Sequence, residues 1–185
     1  MKASKKIMSL MLSAMLVLFA CAAFAESSLF EETYIDPDTY DFSQANWVEV
    51  DGTFRFARPD TWSQVDCGEA EEEQGAFYKM ESEDGSATVT AFVLGADGEY
   101  SQHFVSESEA YSYLVEQNGL PATYVNFGDA LFGYGYYAES MDTLFVVVPY
   151  DDGITYVLSF TPTQNAETSE ILQAIFYSIR PVEAS

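Results

Sequence analysis

From Trp47 onward the chain is built of short runs of β-branched and aromatic residues divided by turn-forming residues, a pattern that predicts strands. Phe54 and Phe56 alternate with Arg55, and Arg58-Pro59-Asp60 turns the chain before Trp62 and Val65. Residues 77–82 and 87–94 flank Asp84-Gly85, a dipeptide that tolerates the positive φ angles of a type I′ turn, so a tight hairpin is expected there. Residues 143–149 and 154–160 around Asp151-Asp152-Gly153 predict a second hairpin, and residues 122–127 and 131–138 add two strands. The reading gives about eight strands, fairly evenly spread.

Two helices are expected between them. Ser106 with Glu109 three residues on makes a capping box, Val105 and Ala110 can close a hydrophobic staple, and Gly119 before Pro121 supplies a stop. Ala110, Tyr111 and Leu114 would share one face of this helix. The second runs from about residue 166 to 179, where Ile171, Leu172, Ile175, Phe176 and Ile179 recur at helical spacing, Asn165 can cap the start, and Arg180-Pro181 ends it.

Leu144-Phe145-Val146-Val147-Val148 is apolar at both parities, which requires burial on both faces of a sheet. A central strand with helices on each side meets that requirement, so the expected fold class is α+β: a mainly antiparallel sheet covered by helices.

The first 25 residues differ in texture. A basic start (Lys2, Lys5, Lys6), an apolar run from Ile7 to Ala20, and small residues at Ala23 and Ala25 read as a secretory signal peptide cut after Ala25. Leu18-Phe19-Ala20-Cys21 offers the alternative of a lipobox with Cys21 acylated, although Phe19 fits that pattern badly. Residues 26–46 are acidic and interrupted by Pro37, as in a flexible arm, and residues 47–182 form a single domain.

The whole chain of 185 residues carries seven Lys and Arg against 30 Asp and Glu, a net charge of −23. Without residues 1–25 there remain 160 residues with four cations (Arg55, Arg58, Lys79, Arg180) and a net charge of −26. Nucleic acid is thereby disfavoured as a partner, because phosphate binding needs clustered Lys and Arg. Cleavage also leaves Cys67 as the one cysteine, so no intramolecular disulfide is available, and no second run is apolar enough to span a membrane.

Candidate chemistry is sparse. His103 is the sole histidine, and a Cys67–His103 dyad would need a thiol made acidic, whereas Asp66 and Glu69 beside Cys67 push its pKa upward. A carboxylate pair could serve a hydrolase, but 30 carboxylates single out none. Asp36, Asp38 and Asp41 have spacing like that of a calcium loop but lack its glycine and include Pro37. Glu69, Glu71, Glu72 and Glu73 read as a solvated charge run. Gly133-Tyr134-Gly135 imitates part of a dinucleotide fingerprint from inside a strand pattern. The same stretch puts Phe132, Tyr134 and Tyr136 on one side of a strand, with Gly133 and Gly135 leaving the other side bare. That aromatic stripe is either core or a platform for sugar rings or a peptide.

Phe54-x-Phe56 followed by Pro59 and Trp62, the hairpin, the mid-chain helix, the paired long strands, and Ile171-Leu172 through Ser178-Ile179-Arg180-Pro181 together resemble the Mog1/PsbP-like family, including its bacterial secreted and lipoprotein DcrB-like members. The resemblance covers about residues 47–182. It implies an α/β/α sandwich around an antiparallel sheet, used as a non-enzymatic binding or accessory module; plant relatives bind photosystem II and affect calcium and chloride retention. Its motifs are core patterns, and none carries a site residue onto this chain. The expected function is a secreted, non-catalytic binding domain of the bacterial envelope or extracellular space without a cofactor, its partner a protein, peptide or glycan. A calcium-dependent binding module and a small hydrolase are the alternatives.

Overall fold

Side-chain alternation sorts the residues described by the computed structural model (42, 45–94, 109, 112–117, 119, 122–127, 131–150 and 154–182) into ten strands in two antiparallel sheets. The smaller sheet has the order β1-β2-β10, with β1 Asn46–Val50, β2 Phe54–Arg58 and β10 Arg180–Pro181. The larger has the order β3-β4-β5-β9-β8-β7-β6. Its strands are β3 Ser63–Val65, β4 Ala76–Glu81, β5 Thr88–Leu94, β6 Thr123–Asn126, β7 Phe132–Ala138, β8 Thr143–Pro149 and β9 Thr155–Thr161. A short helix α1, Glu69–Glu72, precedes β4, and the 12-residue helix α2, Ala166–Tyr177, follows β9.

One face of the large sheet (Met80, Val89, Ala91, Val146, Val148, Leu158, Phe160) meets Val50, Phe54 and Phe56 of the small sheet and Leu172, Ile175, Phe176 and Ile179 at the C-terminal end. Aromatic edges lock the layers: Phe54 meets Tyr156 with ring centroids 5.6 Å apart, and Phe160 meets Phe176 at 6.2 Å. Tyr134, Tyr136, Ala138, Phe145 and Val147 form a second cluster on the opposite face, with Tyr113 and Val115 packed on it.

These observations correct the expected fold class. The fold is β-rich, not an antiparallel sheet sandwiched between helical layers, and the α/β/α arrangement implied by the Mog1/PsbP-like resemblance does not describe it. β8 lies inside the large sheet, between β7 and β9, and sends Val146 and Val148 to one face and Phe145 and Val147 to the other. Two-sided burial says only that both faces are covered. On the first face much of the cover is another sheet, because Val50, Phe54 and Phe56 alternate with outward residues and β2 pairs with both β1 and β10.

Turn chemistry also differs from expectation. Between β4 and β5, Ser82 donates its N–H to the Ala87 carbonyl at 2.9 Å, leaving Glu83-Asp84-Gly85-Ser86 as the loop, and only Gly85 has positive φ. This is not a two-residue type I′ turn. The type I′ pattern occurs between β1 and β2, where Asp51 and Gly52 have φ of 46° and 68° and Thr53 N–H reaches the Val50 carbonyl at 2.8 Å. At the other loop, Asp84 Oδ1 accepts hydrogen bonds from Ser86 Oγ (2.7 Å), Ser86 N–H (3.0 Å) and Ser82 Oγ (2.7 Å). The Ser86 bonds, with help from Ser82, hold the Asp84 carboxyl at about 2, below its ordinary 3.8. A depressed native pKa favours the fold above the unfolded value, so this contribution is lost as pH falls from about 4 to about 2. NMR titration of the Asp84 carboxyl carbon is expected to give a midpoint near 2; a midpoint near 4 would show that the loop bonds do not persist in solution.

Of the expected first helix, Val105, Ser106 and Ala110 lie outside the described residues; Ser112–Gln117 form a π-type turn closed by Gly119 N–H on the Val115 carbonyl at 2.9 Å. At the second helix, the Asn165 carbonyl accepts Ser169 N–H at 2.8 Å, and the helix ends at Tyr177 rather than Ile179. Buried Ser178 then ties this end to the small sheet, accepting the Ala57 N–H at 2.7 Å and donating to the Ile175 carbonyl at 2.6 Å. Ser178→Ala would strand a buried N–H, with an expected loss of about 2 kcal/mol in urea unfolding. Hydrogen exchange at the Ala57 amide should accelerate in the same variant, and an unchanged rate would mean another acceptor takes over.

Candidate functional site

The β7 stripe is brought together as the sequence spacing requires, but most of it faces inward. Tyr134 is 0% exposed and Tyr136 8% exposed, while Phe132 is half-buried. Tyr136 stacks on Phe145 with centroids 5.3 Å apart, and burial pushes its phenol well above the ordinary range for tyrosine. The two inner rings therefore act as supports, and the accessible part of the stripe is at its edge.

At that edge the pairing of β6 with β7 sets Tyr124 opposite Tyr134. Tyr124, 39% exposed, stacks nearly parallel on Phe132 (centroids 6.1 Å apart, planes 21° apart) and meets the edge of Tyr134 at 5.8 Å. Phe132 also contacts Tyr134 edge-on at 6.3 Å. The result is an exposed aromatic ring braced by two others on an outer strand of the large sheet. Sequence reasoning missed Tyr124. Its signal was cross-strand: once residues 122–127 and 131–138 pair, one of the facing aromatics must lie nearer the margin.

The glycine side of β7 is not bare. Gly133 and Gly135 are buried, and a Cβ built on Gly133 would lie 2.7 Å from the Val147 carbonyl oxygen and 3.0 Å from Phe127 Cε2. Phe127 in turn meets the edge of Phe176 at 5.7 Å, so the absent side chains make room for the main core.

The other sequence candidates fall as follows. Cys67 is half-buried and free; burial, then the charges of Glu71 and Glu72, push its thiol up, with Lys79 opposing and Asp66 adding. His103, Asp36, Asp38, Asp41, Asp151, Asp152 and Cys21 lie outside the described residues. Glu69, Glu71 and Glu72 lie in α1, and Glu73 follows it. Glu71 is fixed by two bonds, its Oε2 accepting Gly68 N–H at 2.7 Å and its Oε1 pairing with Lys79 Nζ at 2.8 Å. Burial raises the Glu71 pKa, but the Lys79 and Gly68 hydrogen bonds and the Lys79 charge outweigh it and leave a net depression. Among the described residues no group of three or more His, Cys, Asp or Glu is arranged to hold a metal ion. Nor is any helix among them long and apolar enough to cross a membrane.

No family model matches the chain, and no curated protein matches it in sequence. A 1.50 Å crystal structure from Bacteroides thetaiotaomicron VPI-5482 is similar, with a TM-score of 0.47 and 13% identity, over 76% of this chain and 49% of that one. The chain thus spans about half the length of that solved structure.

Proposed function

We propose that the protein is a secreted, non-catalytic binding or accessory domain of the bacterial envelope or extracellular space, and that it binds its ligand on Tyr124. The observation that carries this reading is the exposed Tyr124 ring, held flat on Phe132 and buttressed by buried Tyr134. A rigid aromatic face loses little conformational freedom on binding and offers apolar area beside a hydroxyl. A pyranose ring, with an apolar face and a polar rim, suits such a surface. The leader-like residues 1–25 support export, and a net charge of −26 after their removal supports solubility. Of the Mog1/PsbP-like resemblance, the proposal keeps the role of a binding module and not the layering.

The test is titration of the protein with a soluble β-linked gluco-oligosaccharide, followed by calorimetry and by NMR shifts of residues on β6 and β7. The expectation is saturable binding, weakened at least about 10-fold by Tyr124→Ala, as loss of about 1.4 kcal/mol implies. Binding that survives Tyr124→Ala unchanged, or no binding to the native chain, would remove the sugar-platform reading.

A further inference from the structure

The outer face of the small sheet carries a feature at odds with the composition. β10 pairs Arg180 directly with Arg55 of β2, placing two of the four cations beyond residue 25 side by side. Both lie against Trp47: the guanidinium carbon of Arg55 is 4.7 Å and that of Arg180 4.6 Å from its ring centroid, and Arg180 is also 5.3 Å from Phe42. In a chain with 30 carboxylates, neither guanidinium has an ion-pair partner among the described residues. Glu49 faces Arg55 across the β1–β2 ladder but is exposed and not paired with it. Arg180 Nε donates to the Ser178 carbonyl at 3.1 Å, while Arg55 Nε is buried without a partner. Burial, and then the charge of Arg55, draw the Arg180 pKa down, as expected for two like charges lacking a counter-ion.

We propose that Arg55 and Arg180, stacked against Trp47, form a binding site for a small monocarboxylate bearing an apolar or aromatic body. Stacking covers the faces of a guanidinium and leaves its in-plane N–H donors. With Arg180 Nε taken by the Ser178 carbonyl and Arg55 Nε buried, the terminal Nη groups of the two arginines are the donors that would receive the carboxylate. Trp47 and Phe42 supply apolar surface beside the charge. The wider field selects against higher charge: a net −26 repels a dianion or polyanion more strongly than a monoanion, while the local arginine doublet offsets that repulsion at short range. The site lies on a different sheet from Tyr124 and stands whether or not that ring binds a sugar.

The experiment is an NMR titration of the full chain with phenylacetate at constant ionic strength, with phenylacetamide and inorganic phosphate as comparison probes. The indole N–H of Trp47 and the Nε–H of Arg55 and Arg180 are the reporters, and buried Trp62 is the internal control. Saturable shifts with a Kd of about 1–10 mM are expected for phenylacetate, and at least about 10-fold weaker binding for the other two probes. Arg180→Gln should weaken phenylacetate by a similar factor while leaving the Trp62 signal in place. The proposal is overturned by absence of saturation up to about 50 mM, some fivefold above the expected range. It is equally overturned if phenylacetamide or phosphate binds as well as phenylacetate, or if folded Arg180→Gln binds undiminished. Should Arg180→Gln not fold, the comparison of phenylacetate with phenylacetamide on the native chain decides alone.

Discussion

Asp142→Ala is expected to cost about 4 kcal/mol, because one carboxylate oxygen joins two parts of the chain and nothing in alanine replaces it. Asp142 Oδ1 accepts the Tyr137 hydroxyl at 3.0 Å, the Thr163 N–H at 3.1 Å, the Thr163 hydroxyl at 3.0 Å and the Gln164 N–H at 2.9 Å. It thereby fastens the turn between β7 and β8 to the segment that leads into α2. Thr163 is buried, so its hydroxyl would lose this acceptor away from water, while its N–H would keep only the longer bond to the Asp142 backbone carbonyl at 3.2 Å. Hydrogen bonds to a charged acceptor are worth about 1.5–3 kcal/mol each, and their losses overlap at one oxygen. The backbone adds a smaller cost, since Asp142 has a φ of 47°, a region that aspartate and asparagine tolerate better than alanine. Asp142→Asn keeps both an oxygen acceptor and that tolerance, and should lose only about 1–2 kcal/mol. Urea unfolding separates the cases: the midpoint should fall far more for alanine than for asparagine, at unchanged slope. Equal losses would mean that the side-chain oxygen is not what holds the turn.

Much of the fold was legible because strands announce themselves locally. β5, β7, β8 and β9 were found within about two residues of their observed bounds, a margin normal for element ends. The cover was not legible, because an apolar face does not encode whether a helix or a sheet lies on it. Trp47-Val-Glu-Val50, Asp51-Gly52 and Phe54-Arg-Phe56 in fact contain a hairpin signal, two alternating runs around a type I′ dipeptide. Asp84-Gly85 carries the same letters, yet there the carboxylate turns to Ser82 and Ser86 and the loop widens. A dipeptide sets what a turn tolerates, and the flanking register decides what it adopts.

The candidate site was legible in part, for a similar reason. The shared face of Phe132, Tyr134 and Tyr136 follows from alternation alone, but alternation along one strand does not say which ring reaches the margin. That is set by β6 and its register, which exposes Tyr124 and encloses Tyr134. The arginine doublet was less legible still. Arg55 and Arg180 are 125 positions apart in sequence, and only the short β10 pairing makes them neighbours.

Gly133 yields the second large effect, and it tests how β7 is packed. Gly52 and Gly85 have open space where a Cβ would sit, so substitution there meets only the penalty of their positive φ. Gly133 is the reverse case: it is not in the positive-φ region, but its absent Cβ faces the Val147 carbonyl and the Phe127 ring. A ring edge can shift by a few tenths of an ångström, whereas a carbonyl held in the β7–β8–β9 ladder moves only if strands separate. Gly133→Val is therefore expected to destabilise by about 3 kcal/mol, at the upper end of the usual cost of overpacking. In a domain of this size that corresponds to a melting temperature lower by about 6–12 °C. Gly133→Ala should cost less, about 2 kcal/mol, because its methyl meets the carbonyl without the further γ-carbons of valine. If β7 is displaced, Tyr124 loses its braces, so the NMR shifts of Phe132 and Tyr134 should change together with stability in the valine variant. A valine variant as stable as the native chain would show that β7 and β8 lie farther apart than the Gly133–Val147 approach requires, and the close seating of the aromatic edge would fail with it.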